Sequence, residues 1–385
     1  MPAPLALVIG AGLAGAAAAS ALARQGWQVQ VLDTAPAPAA GASSLPAGLM
    51  APHLSADDGL LSRLTRAGLQ ATRTELERLS AQGRLRPGED WLASGALEHR
   101  IRHTRPPALP EPSADASRPA LAGELAKAGL PADALGIWHP QAAWVRPGAL
   151  VRAWLAEQGV RFKGATRVER LVRVEPDSGE AGPGWQAQDD SGGVVAQASL
   201  VVVAAALGSA ELTQGKLRLQ PVRGQVTWGL HDAADALPPF PVNGSGHLLT
   251  RLPLDEGLAW LSGSSYGHGE RDTEIRQEDH AANLARIRAL LPTAAETLAP
   301  AFASGTRTGE GAGSVRAWTG VRCASTDRRP LVGMLAPGLW ALTAMGSRGL
   351  TFSALCAALL AARVGGQAQP LPADLAAALD LARQR

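Results

Sequence analysis

The N-terminal 33 residues constrain the fold most strongly, because they combine two buried strands, a glycine-rich turn and a helix. Leu5–Ile9 is an apolar run without polar alternation, which is typical of a strand buried on both faces. It leads into a G-x-G-x-x-G motif at 10–15 and then into an alanine-rich segment at 16–24 that favours a helix. A second apolar run at 29–32 ends in Asp33. The sequence therefore predicts a βαβ unit that binds a dinucleotide.

Each part of this unit has a role in dinucleotide binding. Gly10 permits the tight turn, Gly12 lets a pyrophosphate approach the backbone, and Gly15 lets helix and strand pack closely. The helix N-terminus offers N–H groups and the positive end of its dipole to the phosphates. Asp33 can accept both ribose hydroxyls and would repel a 2′-phosphate, although the motif alone does not separate NAD from FAD. The dinucleotide contacts predicted from this unit are Gly10, Ala11, Gly12, Leu13, Ala14, Gly15 and Asp33.

Three later segments also predict close approach of a ligand. Small residues dominate 41–48, and the buried strand at 200–204 ends in small residues. A second glycine-containing loop at 345–351 opens an apolar helix at 352–363. A plain NAD-binding fold does not need this closing element, whereas a large flavin needs a dock at its far end, so the pattern favours FAD. The additional predicted cofactor contacts are Ala42, Ser43, Ser44, Val168, Ala205, Gly208, Gly346, Ser347, Arg348, Gly349, Leu350 and Thr351.

The order of these patterns predicts an α/β fold. We expect a Rossmann-like FAD-binding domain and a discontinuous α+β substrate domain that contains an antiparallel sheet. The FAD-binding domain is predicted to comprise residues 1–80, 146–215 and 316–385, and the substrate domain residues 81–145 and 216–315.

Composition argues against several other classes of protein. The 385 residues contain no uninterrupted apolar stretch of membrane-spanning length, and no basic segment precedes the first apolar run. We therefore expect no membrane association and no signal peptide. The two cysteines, Cys323 and Cys356, have no metal-ligand spacing and form no disulfide framework, which predicts no metal site and a reducing, cytoplasmic setting.

Charge is uneven along the chain although the net charge is only +2. Between residues 60 and 105, nine arginines face five acidic residues. This region is either a landing surface for a polyanion such as RNA or a solvated helix face in a chain whose usual cation is arginine. The arginines are at positions 63, 66, 73, 78, 84, 86, 100, 102 and 105.

Taken together, these segments resemble the D-amino-acid-oxidase-like family of FAD amine oxidases, which includes glycine and sarcosine oxidases. The resemblance covers almost the whole chain: the βαβ unit, the GAS loop at 41–43, VRPG at 145–148, PVRGQ at 221–225 and the segment 320–333. GSSY at 263–266, followed by Gly269 and Asp272, together with the segments at 320–327 and 344–350, is similar to one subfamily. That subfamily is the FAD-dependent oxidoreductase domain of the bifunctional enzyme that makes 5-methylaminomethyl-2-thiouridine at the tRNA wobble position.

The resemblance implies oxidation of the carboxymethylaminomethyl group on that uridine, with tRNA as partner, release of glyoxylate and oxygen as electron acceptor. A free glycine-like amine or D-amino acid is the alternative substrate, and a flavin-bound assembly protein without turnover is a third hypothesis. The bifunctional enzyme also carries an N-terminal methyltransferase domain that has no counterpart in this sequence. We therefore expect either a stand-alone oxidoreductase or a separate methyltransferase partner.

The resemblance also implies an arginine clamp for the substrate carboxylate, since a guanidinium makes two parallel charge-assisted bonds. Arg322 and Arg348 are the candidates, and the only tyrosine, Tyr266, is a candidate hydrogen-bond donor to substrate. The alternatives are an Arg322–Asp327 ion pair, a role of Arg348 at the flavin ring, and a half-buried sheet position for Tyr266. His53 is either near the flavin or a packed histidine.

Overall fold

The computed structural model describes residues 3–101, 109, 117–174, 184–231, 237–303 and 315–384. The arginines at 102 and 105 of the arginine-rich region lie outside these ranges. The helices of the described residues are α1 (Leu13–Arg24), α2 (Leu60–Ala81), α3 (Ala122–Lys127), α4 (Pro147–Leu155), α5 (Gly208–Leu212), α6 (Gln277–Leu290), α7 (Pro292–Ala303), α8 (Gly349–Val364) and α9 (Ala373–Ala377). Short 3-10 helices lie at Ala42–Ser44, Gly346–Arg348 and Leu381–Gln384.

The strands form four sheets. In chain order they are β1 (Leu5–Ile9), β2 (Gln28–Leu32), β3 (Gly48–Met50), β4 (Trp91–Leu92), β5 (Ala96–His99), β6 (Arg118–Pro119), β7 (Gly136–His139), β8 (Ala143–Val145), β9 (Val160–Lys163), β10 (Arg170–Val174), β11 (Gly184–Gln188), β12 (Val194–Ala198), β13 (Leu200–Val203), β14 (Gln220–Leu230), β15 (Val242–Asn243), β16 (His247–Leu254), β17 (Gly257–Gly263), β18 (Gly267–His268), β19 (Arg316–Ala324), β20 (Leu331–Ala336) and β21 (Leu339–Thr343).

A six-stranded sheet carries the N-terminal motif. Its order is β20-β21-β13-β1-β2-β9, and every neighbouring pair is parallel except β20 with β21. The apolar runs seen in the sequence occupy its centre, where β13 is fully buried. Helix α1 packs against α4 and α8, and its alanines allow these helices to approach closely. The parallel strands thus end at a common edge, where a ligand can bind.

A nine-stranded, largely antiparallel sheet forms the second layer. Its order is β18-β14-β17-β16-β15-β5-β7-β6, with β19 paired to β14 along the whole length of β19. Helices α6 and α7 cover one face through a shared apolar core. The opposite face turns towards the edge of the parallel sheet and lines the cavity described below. Two small antiparallel sheets, β10-β11-β12 and β3-β8-β4, complete the described fold.

Strand β19 belongs to the antiparallel sheet, although the sequence predicts that residues 316–385 are part of the FAD-binding domain. Its nine residues pair with β14. The register runs from Gln220 opposite Ala324 to Trp228 opposite Arg316. Strand pairing over this distance depends on contacts between residues about a hundred positions apart, which local sequence patterns do not report.

One described segment, Gly346–Val364, is long and apolar enough by composition to cross a membrane. Of this segment, 67% is buried inside the protein, where α8 packs against α1 and α2. It is therefore placed as a core helix of the fold.

Candidate functional site

A cavity of about 1090 Å³ lies between the edge of the parallel sheet and the antiparallel sheet. The β1–α1 turn, the loop at 40–53 and the segment that opens α8 line one end. Residues of β5, β14, β15, β16, β17 and β19, with the loop residues Ser264 and Tyr266, line the other end. The cavity therefore connects the predicted dinucleotide site with the inner face of the antiparallel sheet.

Backbone geometry shapes the first end. Gly10 has φ +108°, a conformation that side chains rarely adopt, and a Cβ there would lie 2.5 Å from the carbonyl oxygen of Ala204. A Cβ on Gly15 would overlap the carbonyl oxygen of Gly10. The first N–H groups of α1 have no partner within the helix, so they are available to an anion in the cavity. Ser43 Oγ already accepts one of them, the N–H of Leu13, at 3.0 Å.

Asp33 lies at the end of β2 and lines the cavity. Its Oδ2 accepts the Ala11 N–H at 2.6 Å, and its Oδ1 accepts the Ala35 N–H at 2.8 Å. These two bonds fix the orientation of the carboxylate, and each oxygen retains capacity for a further donor. The donors and acceptors of this end, together with the cavity volume of about 1090 Å³, fit the phosphates and ribose of FAD.

Most of the predicted cofactor contacts line this cavity, and three do not. Ala11 is fully buried, and its N–H is occupied by Asp33. Gly15 packs against the turn at Gly10, and Ser44 accepts a hydrogen bond from Trp318 Nε1 at 2.9 Å instead of lining the cavity. Those that line it are Gly10, Gly12, Leu13, Ala14, Asp33, Ala42, Ser43, Val168, Ala205, Gly208, Gly346, Ser347, Arg348, Gly349, Leu350 and Thr351.

Arg322 on β19 lies at the second end. Its Nη2 donates to Ser264 Oγ at 2.8 Å and to the Ser265 carbonyl at 3.3 Å, and its guanidinium lies 4.7 Å from the ring centroid of Tyr266. Its Nη1 is buried and has no hydrogen-bond partner among the described residues. Burial lowers the pKa of this guanidinium, which still leaves it charged at neutral pH. Arg322 also lines the cavity, and a buried cation with an unpartnered donor is suited to an anionic ligand.

The position of Arg322 depends on a glycine in the neighbouring strand. A Cβ on Gly224 of β14 would overlap the Arg322 guanidinium. The Arg322 side chain can therefore pass over β14 only because Gly224 has no side chain. The alternative Arg322–Asp327 ion pair is wrong, because Asp327 pairs with Arg329 at 2.7 Å and with Arg383 at 2.9 Å. The PVRGQ segment thus makes room for the arginine.

Arg348 and Tyr266 line the same cavity as Arg322. Arg348 ends the 3-10 helix that opens α8, and burial lowers the pKa of its guanidinium. Tyr266 is 56% exposed, so the half-buried alternative is wrong, and its ring contacts Arg322. His53 also lines the cavity, and its backbone N–H donates to Thr65 Oγ1 at 2.9 Å.

Sequence reasoning missed one row of cavity residues that crosses the antiparallel sheet. Successive register partners form this row, so their side chains share a face. These residues are far apart in sequence, and apart from Gly263, which begins the GSSY segment, they carry no motif, so that only strand register brings them together. They are Trp318, Val226, Gly263, His247, Asn243 and Glu98.

The arginine-rich region is largely neutralised within the described chain. Arg63 pairs with Asp374, Arg66 with Asp58, and Arg73 with Glu77. The other described arginines of this region, at 78, 84, 86 and 100, also pair with carboxylates. The ion-paired helix face therefore describes this surface better than an open polyanion site.

Fold and cavity define this protein as an α/β protein whose cavity joins a dinucleotide-type βαβ unit to a buried arginine on an antiparallel sheet. The family model described as DAO, FAD dependent oxidoreductase, matches residues 6–363. The chain belongs to this family, and its cofactor is FAD.

Among curated proteins, the chain has relatives that are about half identical to it. The chain is 50% identical over 402 residues to the tRNA 5-methylaminomethyl-2-thiouridine biosynthesis bifunctional protein MnmC of Verminephrobacter eiseniae, covering 98% of this chain and 63% of that protein. It is 49% identical to the protein of the same name from Delftia acidovorans, covering 97% and 60%. The chain thus spans about three fifths of the length of these relatives.

Solved structures show the same fold at low identity. Glycine oxidase from Geobacillus kaustophilus superposes with a TM-score of 0.73 at 19% identity, covering 97% of this chain and 98% of that one. Iminodiacetate oxidase from Chelativorans sp. BNC1 gives 0.68 at 23% identity, covering 95% and 97%. These likenesses support the α/β fold with an antiparallel sheet.

Proposed function

We propose that this protein oxidises the carboxymethylaminomethyl group of a tRNA wobble uridine and releases the carboxymethyl carbon atoms as glyoxylate. The observation that carries the proposal is the buried guanidinium of Arg322, a residue that lines the cavity and whose Nη1 has no hydrogen-bond partner among the described residues. The names of the relatives support the tRNA substrate, and the setting we propose is the cytoplasm.

The net reaction balances with oxygen as acceptor. A secondary amine R–NH–CH2–COO⁻ plus O2 and water gives R–NH2, glyoxylate and hydrogen peroxide. When bound, FAD supplies the two-electron acceptor for oxidation of the C–H bond next to nitrogen.

The chain's own residues bind and orient the substrate. Arg322 is proposed to hold the carboxylate through its free Nη1, while Ser264 and Ser265 fix the rest of the guanidinium. Tyr266 supports the guanidinium face and is proposed to contact substrate. The charges of Arg322 and Arg348 raise the local positive potential, which favours the neutral amine that oxidation requires.

The loops that line the first end are proposed to hold FAD. Backbone at 10–14 and 41–43 would bind the phosphates, Asp33 the ribose, and the segment 346–351 the far end of the cofactor. Residues 205 and 208 and Val168 would line the space between them.

A free glycine-like amine is the second candidate substrate, favoured by the likeness to glycine oxidase. Two measurements separate the candidates: mass spectrometry of tRNA nucleosides after incubation with the holoenzyme, and peroxide release with glycine or N-methylglycine. We expect loss of the carboxymethyl group from tRNA. Robust turnover of a free amine with no change in modified tRNA would overturn the tRNA proposal.

The relatives are named bifunctional proteins and are longer than this chain, and we propose that a separate domain or protein transfers a methyl group to the product of this chain. Mixing the holoenzyme, modified tRNA, a methyltransferase and a methyl donor should then convert the aminomethyl product to the methylaminomethyl form, which nucleoside mass spectrometry would detect.

A further inference from the structure

A polar strip on the antiparallel sheet lies beside the arginine clamp and is not used by the glycine-like part of the substrate. It consists of Glu98 on β5, Asn243 on β15 and His247 on β16, which are successive register partners and all line the cavity. Their chain neighbours point to the opposite face and are fully buried in the core against α6 and α7: Leu97, Val242 and Leu248.

The strip begins directly next to the clamp. His247 is the register partner of Gly263, and the following residue, Ser264, accepts a hydrogen bond from Arg322. A substrate whose carboxylate is held by Arg322 can therefore extend over His247 towards Asn243 and Glu98. Glycine or N-methylglycine would be too short to use these groups.

Within the described part of the chain, Asn243 has a side-chain oxygen without a hydrogen-bond donor. Its Oδ1 is buried and has no hydrogen-bond donor among the described residues. A buried acceptor without a donor is unfavourable unless a ligand or water supplies one. Its side-chain amide offers one acceptor and one donor group side by side, which matches an amide or imide edge.

The flanking groups have definite charge states. Glu98 is oriented by His139 Nε2 at 3.2 Å and by Arg100 Nη1 at 3.4 Å. Burial raises the pKa of the Glu98 carboxyl, but His139 and Arg100 outweigh it and hold the pKa below its ordinary value. Burial and the charge of Arg322 lower the pKa of His247 to about 4, so its imidazole is neutral at pH 7. The strip thus presents hydrogen-bonding groups and no cation of its own.

We propose that this strip binds the imide edge of a pyrimidine base, with Asn243 pairing to the adjacent N–H and carbonyl groups. This inference rests on the proposed function and deepens it, because it assigns the nucleobase to a place in the cavity. Glu98 accepts from a donor of the same nucleoside, and His247 lies between the base and the carboxylate clamp. The strip therefore distinguishes a modified nucleoside from a free amino acid.

The kinetic test uses the holoenzyme and two substrates, 5-carboxymethylaminomethyluridine and N-methylglycine. Asn243→Leu keeps the side-chain shape and removes both polar atoms, and Glu98→Gln removes the charge. Glu256→Gln, an exposed glutamate in the β16–β17 turn, is the matched control. We expect each strip variant to lower kcat/KM for the nucleoside at least tenfold, to change it for N-methylglycine less than twofold, and the control to change neither.

A binding test separates recognition from turnover. 5-Carboxymethyluridine carries the base and a carboxylate but no amine to oxidise, and acetate carries only the carboxylate. Both are titrated into the holoenzyme while the flavin absorbance is followed. Asn243→Leu should raise the Kd of 5-carboxymethyluridine at least tenfold and leave the Kd of acetate unchanged.

The outcomes distinguish the two proposals. Equal losses for both probes, or no loss for either, would overturn the strip assignment while wild-type turnover of the nucleoside leaves the proposed function standing. If the wild-type holoenzyme oxidises N-methylglycine but neither binds 5-carboxymethyluridine nor acts on modified tRNA, the proposed function fails and the strip assignment fails with it.

Discussion

The two ends of the cavity are built in different ways. The first end, where we propose that FAD binds, is called the cofactor end, and its lining is mostly backbone and small side chains from contiguous segments, such as the turn at Gly10 and the loop that opens α8. The second end, where we propose that substrate binds, is called the substrate end, and its lining consists of side chains from strands far apart in sequence, such as Arg322 and Asn243. Recognition of phosphates by backbone tolerates few changes of shape, whereas recognition of substrate depends on individual charges and hydrogen bonds. Substitutions at the two ends should therefore separate cofactor binding from turnover.

The largest effect is expected for Arg322→Ala. Removing one partner of a buried charged pair costs about 3–5 kcal/mol, which corresponds to roughly two to four decades in kcat/KM. The FAD spectrum should be retained, because Arg322 is at the substrate end. Arg322→Lys should recover only part of the activity, since a point charge replaces a planar fork. Steady-state kinetics and the visible spectrum check both points.

Arg329→Ala is the matched control for this test, because Arg329 lies in the following loop and pairs with Asp327 outside the cavity lining. It should keep near wild-type turnover. Wild-type rates for Arg322→Ala would place the clamp elsewhere, with Arg348 as the next candidate, and loss of FAD would make Arg322 a structural residue.

The next effect is expected at the cofactor end for Gly10→Ala. The new Cβ would meet the Ala204 carbonyl at 2.5 Å in a backbone conformation with φ +108°. A strained residue of this kind costs about 1–3 kcal/mol, and moving the turn also displaces the groups that bind phosphate. We expect FAD affinity to fall at least tenfold, measured by equilibrium dialysis. Gly26→Ala is the control, since Gly26 also has positive φ (+90°) but open space around it.

Gly26→Ala should lower the free energy of unfolding while retaining FAD. Equal losses of FAD in both glycine variants would show that backbone strain alone weakens cofactor binding. That result would contradict the proposal that the β1–α1 turn contacts FAD.

A smaller effect is expected for Asp33→Ala. Loss of two hydrogen bonds to a carboxylate corresponds to about 1.5–3 kcal/mol, so FAD affinity should drop about tenfold or more. Asp189→Ala is the control, because Asp189 also accepts backbone N–H groups, from Ser191 and Gly193, in a turn that does not line the cavity. Fluorescence titration of the apoprotein with FAD measures both. Unchanged FAD affinity in Asp33→Ala would show that the Asp33 carboxylate does not bind the ribose.

The smallest effect is expected in the arginine-rich region. Arg63 and Arg86 each pair with a carboxylate, so they are only partly available to phosphates. The double variant Arg63→Ala, Arg86→Ala should weaken tRNA binding by roughly threefold or less and reduce the salt dependence by less than about one unit per arginine. Turnover of a small amine should not change. A decrease of two units in the slope of log Kd against log salt would contradict this expectation and show that tRNA binds to the arginine-rich region.

Local patterns predicted much of the fold because each element is encoded over a short stretch. The apolar runs at 5–9 and 200–204 are β1 and β13, and the helix expected at 352–363 lies within α8, Gly349–Val364. Helix boundaries were less accurate: α1 begins at Leu13, three residues before the predicted start. Pro292, which lies two residues after the end of α6, is the first residue of α7. Proline is compatible with this position because the first helical N–H has no intrahelical acceptor.

The sequence by itself determined the dinucleotide-binding unit, since Gly10, Asp33 and the turn between them act within about 25 residues of chain. It also made Arg322 a candidate for the carboxylate clamp through the segments that resemble a known family. Only the tertiary structure decided what surrounds that arginine: Gly224 leaves space for it, Ser264 orients it, and strand register adds the row that includes Asn243. The physical reason is that helices and turns form through contacts between near neighbours, whereas the partners of a β-strand side chain depend on pairing between distant segments.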